Sequence, residues 1–191
     1  MSFGLCNAQK GRNMKTKTHI LKMVLAAFFA ALAYVMPFLT GQIPEIGSML
    51  CPMHIPVLLC GFICGWHWGL AVGVIAPLMR SLMLGMPPIL TAICMAFELA
   101  AYGALCGILY KLFPKRIPFI YCSLIISMIL GRLVWGAAMF VCMGMAGNTF
   151  GLSAFVAGAF TNAIPGIVIQ IILVPIIVIV LEKTPVFKKL C

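Results

Sequence analysis

Three charged side chains stand inside long apolar runs: Arg80, Glu98 and Arg132. A charge placed within a bilayer costs at least ~2.5–3.5 kcal/mol, so such residues face a partner or a wet cavity. Counted along helices rising 1.5 Å per residue, Glu98 lies roughly 15 Å from the start of its run. Arg132 lies roughly 20 Å from the end of the next, so the two can meet near mid-membrane. Asn162 sits about nine residues into the last run, at a similar depth on the same rise. The chemistry on offer is recognition. A guanidinium holds a carboxylate through paired hydrogen bonds, and Arg80, with no acidic neighbour in its own run, is placed to draw in an anion. Two structural readings stand beside this one. Glu98 and Arg132 can simply neutralise each other, and Arg80 can extend to lipid headgroups.

Neighbouring residues add polar and aromatic surface. Tyr102 is one turn from Glu98 on the same face, and Trp135 is one turn from Arg132. Packing is the plainer role for Trp135. Asn162, Pro165-Gly166 and Gln170 interrupt the last run and predict a kink there.

The elements that must position these residues are membrane helices. Of 191 residues, 64% are hydrophobic and 8% charged, where soluble domains carry ~25% charged. The net charge of +10 suggests nucleic acid until the positions are read. Eleven of 13 basic residues form three groups outside the apolar runs: Lys10, Arg12, Lys15, Lys17 and Lys22; Lys111, Lys115 and Arg116; Lys183, Lys188 and Lys189. That distribution sets membrane orientation and argues against a nucleic-acid partner. The predicted fold class is an all-α integral membrane protein, a bundle of six transmembrane helices with both termini cytoplasmic. A basic segment over 1–19 precedes a membrane domain over 20–182, and a basic tail follows over 183–191. Predicted spans run from Ile20 to Leu39, two between His54 and Leu84 broken at Gly65-Trp66-His67-Trp68-Gly69, then Pro88 to Phe113, Ile117 to Met145 and Ser153 to Leu181. Charge parity decides the disputed pair, because cytoplasmic placement of the first two basic groups needs an even number of crossings between them. Outside loops are then Thr40–Met53, Gly85–Pro88 and Ala146–Leu152.

Other features narrow the function. Six of nine cysteines lie within apolar runs and read as small packing residues; Cys51 and His54 make an incomplete metal spacing. No small-residue cleavage site follows the first run, so it reads as a retained helix. There is no Gly-x4-Gly-Lys-Ser/Thr loop, zinc-protease motif or nucleophile elbow, and no aspartate. An enzyme and a cofactor are therefore not expected. In the first span, Ala26/Ala30 and Ala27/Ala31 give two overlapping Ala-x3-Ala spacings, which let another helix approach closely.

From Lys22 to Glu182 the chain resembles the substrate-binding S components of energy-coupling factor transporters, importers of vitamins and their precursors in the prokaryotic cell membrane. The resemblance rests on the Ala-x3-Ala pair and on Cys51-Pro-Met-His-Ile-Pro. It also rests on Ile75-Ala-Pro-Leu-Met-Arg80-Ser, Gly85-Met-Pro-Pro, Met95-Ala-Phe-Glu98, Gly131-Arg132-Leu-Val-Trp135-Gly and Asn162-Ala-Ile-Pro-Gly166. It implies a six-helix bundle holding a solute near its outer side, capped by the loops after helices one and five. It implies too that Ala26, Ala27, Ala30 and Ala31 meet a transmembrane coupling subunit driven by two ATPases, while the S component hydrolyses nothing. Its solute site would comprise Arg80, Glu98, Tyr102, Arg132, Trp135 and Asn162. A carboxylate-bearing vitamin such as pantothenate suits two arginines, with a pyrimidine precursor next. The competing expectations are a stand-alone carrier that couples to protons through Glu98, and a membrane enzyme or assembly factor.

Overall fold

The computed structural model describes residues 2–40, 52–114, 116–145, 151, 155, 157–158 and 163–184. Six α-helices account for nearly all of them: α1 Ser2–Val35, α2 His54–Cys64, α3 Trp66–Leu84, α4 Ile89–Leu112, α5 Ile117–Met145 and α6 Ile164–Glu182. A 3-10 turn, Met36–Thr40, ends α1. Five helices are long and apolar enough to cross a membrane, and α2 is a shorter apolar helix. Their exposed faces carry residues such as Leu82, Leu112 and Phe140, 77%, 72% and 67% exposed. Such surface is unsuited to water and is what lipid requires.

Prolines and glycines punctuate the chain where backbone chemistry allows. Pro56, Pro118 and Pro165 lie in the first turns of α2, α5 and α6, and Pro88 caps α4. At those positions the missing N–H has no helical acceptor to lose. Between α2 and α3 the chain reverses at Gly65 alone, whose φ of 94° disfavours any side chain. The reversal is sharper than the predicted break over Gly65–Gly69, and it divides the segment unequally. Within the predicted last span, residues 155 and 157–158 are helical, and α6 proper begins at Ile164 with Pro165 in its first turn and Pro175 inside it; most of 152–162 lies outside the described residues.

Helix α2 is the axis of the bundle. All eleven of its residues are buried, and it packs against α1, α3, α4 and α6. A helix apolar on every face has nowhere else to go. Glycines bring α2, α3 and α4 together backbone to backbone. A Cβ on Gly103 would lie 2.2 Å from the Gly69 carbonyl oxygen, one on Gly61 2.5 Å from that of Gly103, and one on Gly73 2.5 Å from that of Leu99. Small residues are the usual means of close helix approach in lipid, where no hydrophobic force draws helices together. Buried hydroxyls on α5 are satisfied locally: Ser123 donates to the Phe119 carbonyl at 2.8 Å and Ser127 to that of Ser123 at 2.6 Å.

The reversal at Gly65 gathers the basic groups at one end. Lys22 of α1, Trp66 of α3 and Tyr110 and Lys111 of α4 line a common cleft of about 490 Å³. At the same end Tyr110 donates its hydroxyl to Glu182, the last residue of α6. Lys22 and Lys111, from the first two basic groups, thus share one end of the bundle.

Candidate solute-binding site

Eleven residues rise only about 16 Å, half of a hydrocarbon core of ~30 Å. Helix α2 runs from His54 down to the basic end at Gly65, so on this rise His54 lies near mid-membrane while α3, α4 and α5 continue beyond it. That level is where Glu98 was expected. The structure places His54, Glu98, Tyr102 and Arg132 in one buried cluster, each at 7% exposure or less.

Glu98 is its centre. Oε1 receives Arg132 Nη1 at 2.9 Å, the Tyr102 hydroxyl at 3.1 Å and His54 Nε2 at 3.3 Å. Helix α4 supplies Glu98 and Tyr102 one turn apart, α5 supplies Arg132, and α2 supplies His54. Gly131 makes the approach possible, because a Cβ there would lie 2.4 Å from Tyr102 Cε1. The ring of Tyr102 thus lies against the α5 backbone, and its other neighbour is the His54 ring, edge-on at 5.2 Å. The predicted pairing of Glu98 with Arg132 is present, and it is more than a pair.

Arg80 takes a different position. It is 7% exposed, so it turns into the bundle rather than to lipid, and its Cζ lies 5.8 Å from the centre of the Phe38 ring. It makes no ion pair among the described residues, and its Nη1 is buried without a hydrogen-bond partner. Trp135 lies one turn from Arg132 on α5. Its half-buried ring stacks on Phe155 at 6.4 Å, and a Cβ on Gly158 would meet it at 2.7 Å. Asn162 lies outside the described residues. Gln170, noted only as a polar break, is 1% exposed, with Nε2 unpartnered.

The two alanine spacings separate on α1. Ala26 is 3% exposed and Ala30 half-buried, both against the core, whereas Ala27 and Ala31 face outward. Among the described residues no three potential metal ligands lie together, and Cys51 is not among those described. The cleft at the basic end is far from the cluster, while a smaller crevice of about 150 Å³ between α5 and α6 reaches Arg132.

Sequence reasoning missed His54. The signal was present in the 31 residues from His54 to Leu84. Subtracting a span of ~20 residues leaves a helix of half length, whose first residue must lie at mid-membrane beside Glu98.

The described residues thus hold two buried arginines, Arg132 paired with Glu98 and Arg80 over the ring of Phe38. The sequence profile described as ECF transporter, substrate-specific component, matches residues 21–178. The chain belongs to this family. No curated protein and no solved structure matches it significantly. As a substrate-specific component it is a multi-pass protein of the prokaryotic plasma membrane. It is the solute-selecting subunit of a transporter, not an enzyme, and it works with an energy-coupling module.

Proposed function

We propose that this substrate-specific component captures a carboxylate-bearing vitamin or vitamin precursor, such as pantothenate, from outside the cell. The observation that carries the reading is the contrast between the two buried arginines. Arg132 is neutralised by Glu98 at 2.9 Å, but Arg80 is buried with no acidic partner among the described residues and with Nη1 unbonded. An uncompensated buried cation is costly. A ligand carboxylate offsets that cost and gains the bidentate geometry a guanidinium favours.

The basic end, holding Lys22 and Lys111, is the cytoplasmic one under the positive-inside rule. The site then opens on the opposite, outer side, above the end of α2. A transmembrane coupling subunit and two ATPases complete the importer. Of the alanines expected to meet the coupling subunit, Ala27 and Ala31 are outward and one turn apart, which supports them as the contact stripe; Ala26 and Ala30 support the bundle behind it. A stand-alone carrier driven through Glu98 would have to protonate a carboxylate already held by three donors. Trp135 and Asn162 stay in the proposed site on the sequence reading alone.

Thermal unfolding of the purified protein against a panel of vitamins and precursors tests the reading. A carboxylate-bearing compound should raise the melting temperature dose-dependently. Stabilisation only by compounds without an acidic group would overturn the role given to Arg80.

A further inference from the structure

The contact with Glu98 places a hydrogen on one ring nitrogen of His54. An ionised carboxylate only accepts, so His54 Nε2, at 3.3 Å from Glu98 Oε1, must carry the hydrogen. Nδ1, on the same ring and on a residue 2% exposed, has no hydrogen-bond partner among the described residues.

A buried acceptor left unsatisfied is expensive and is normally met by a donor. His54 is the first residue of α2, at the helix's far end, on the side where the solute enters. We propose that the solute donates a hydrogen bond, from a hydroxyl or an amide N–H, to His54 Nδ1. This inference rests on the proposed function and deepens it. The substrate class becomes a carboxylate that also carries a neutral donor, with Arg80 taking the charged end and His54 the donor. Arg80 is fifteen residues beyond Gly65 and His54 eleven before it, so their depths differ by about 6 Å on the helical rise, to which the lateral spacing of α2 and α3, roughly 8–10 Å for packed helices, is added. The site thereby discriminates against simple carboxylates, which leave Nδ1 unmet.

The test uses the full chain in detergent with histidine labelled by nitrogen-15. The three histidines are His19, His54 and His67. His19→Asn and His67→Asn assign the remaining signals to His54 without touching the cluster. The probes are pantothenate, its analogues with one hydroxyl replaced by hydrogen, and a pool of other hydroxyl- or amide-bearing carboxylates, with melting temperature read in parallel. Without solute, Nδ1 should resonate as an unprotonated nitrogen. A stabilising compound should move that signal toward the protonated range, and removing the contacting hydroxyl should weaken binding on the order of ten- to a hundredfold and abolish the movement. A hydrogen on Nδ1 in the empty protein overturns the inference. So does a compound that raises the melting temperature and leaves Nδ1 unmoved, since water or another group then serves it; the proposed function survives that result. If no member of the pool stabilises the protein or moves Nδ1, both are overturned.

Discussion

Replacing Arg132 by alanine removes the guanidinium that offsets Glu98 and leaves the carboxylate, 2% exposed, with His54 and Tyr102 as its donors among the described residues. Removing one member of a buried pair costs about 3–5 kcal/mol, because the survivor is an uncompensated charge. In a chain of this length each 1 kcal/mol lowers the melting temperature by roughly 2–4 °C, so Arg132→Ala should lower it by about 6–20 °C. The double variant Glu98→Gln/Arg132→Met should recover most of this loss. Glutamine still accepts from Tyr102 and His54, and methionine fills the space of the arginine stem without a charge. Thermal unfolding of wild type, Glu98→Gln, Arg132→Met and the double variant closes a thermodynamic cycle, with Arg132→Ala measured beside it. A double variant no more stable than Arg132→Ala would refute the reasoning, since the loss would then come from packing and not from an abandoned charge.

Arg80→Gln is expected to weaken binding of a carboxylate solute at least tenfold by calorimetry, and Arg80→Lys should not restore it fully, because an ammonium lacks the planar fork. Gly103→Ala forces a Cβ to within 2.2 Å of the Gly69 carbonyl oxygen and should destabilise the protein by about 1–3 kcal/mol. Gly144→Ala, which meets nothing within 4 Å, should be neutral in the same unfolding assay. Ala27→Leu should abolish co-purification with the coupling subunit while solute binding persists; Ala26→Leu should instead lower the melting temperature, because Ala26 is 3% exposed.

The Glu98–Arg132 contact was legible because it needs only helical rise and an antiparallel neighbour, and both follow from apolar run lengths and loop positions. Tyr102 followed from its one-turn spacing. His54 was hidden by a division into two comparable helices, whereas the reversal at Gly65 gives eleven residues and nineteen. Periodicity could not locate that reversal, since α2 is apolar on all sides. The direction of Arg80 was equally hidden, because a lone arginine near a helix end has both a lipid and an interior solution, and the ring of Phe38 from a distant turn decides between them. The alanine stripe shows the opposite limit. Small residues mark where helices meet, but not whether the partner belongs to the same chain.

The glycine contacts among α2, α3 and α4 bear on how such a subunit can signal that it is loaded. Backbones that touch have no side-chain cushion to deform, so these three helices cannot slide past one another without a steric collision. They act as a keel on which His54 and Glu98 ride, and this tight packing resists a change of register on loading. Any adjustment to the cargo has to be taken up by parts outside the keel, α1, α5 and α6, or by turning the whole subunit within the bilayer. Helix α1, which shows Ala27 and Ala31 to its surroundings while resting on α2 and α3, is placed to carry that adjustment to a partner.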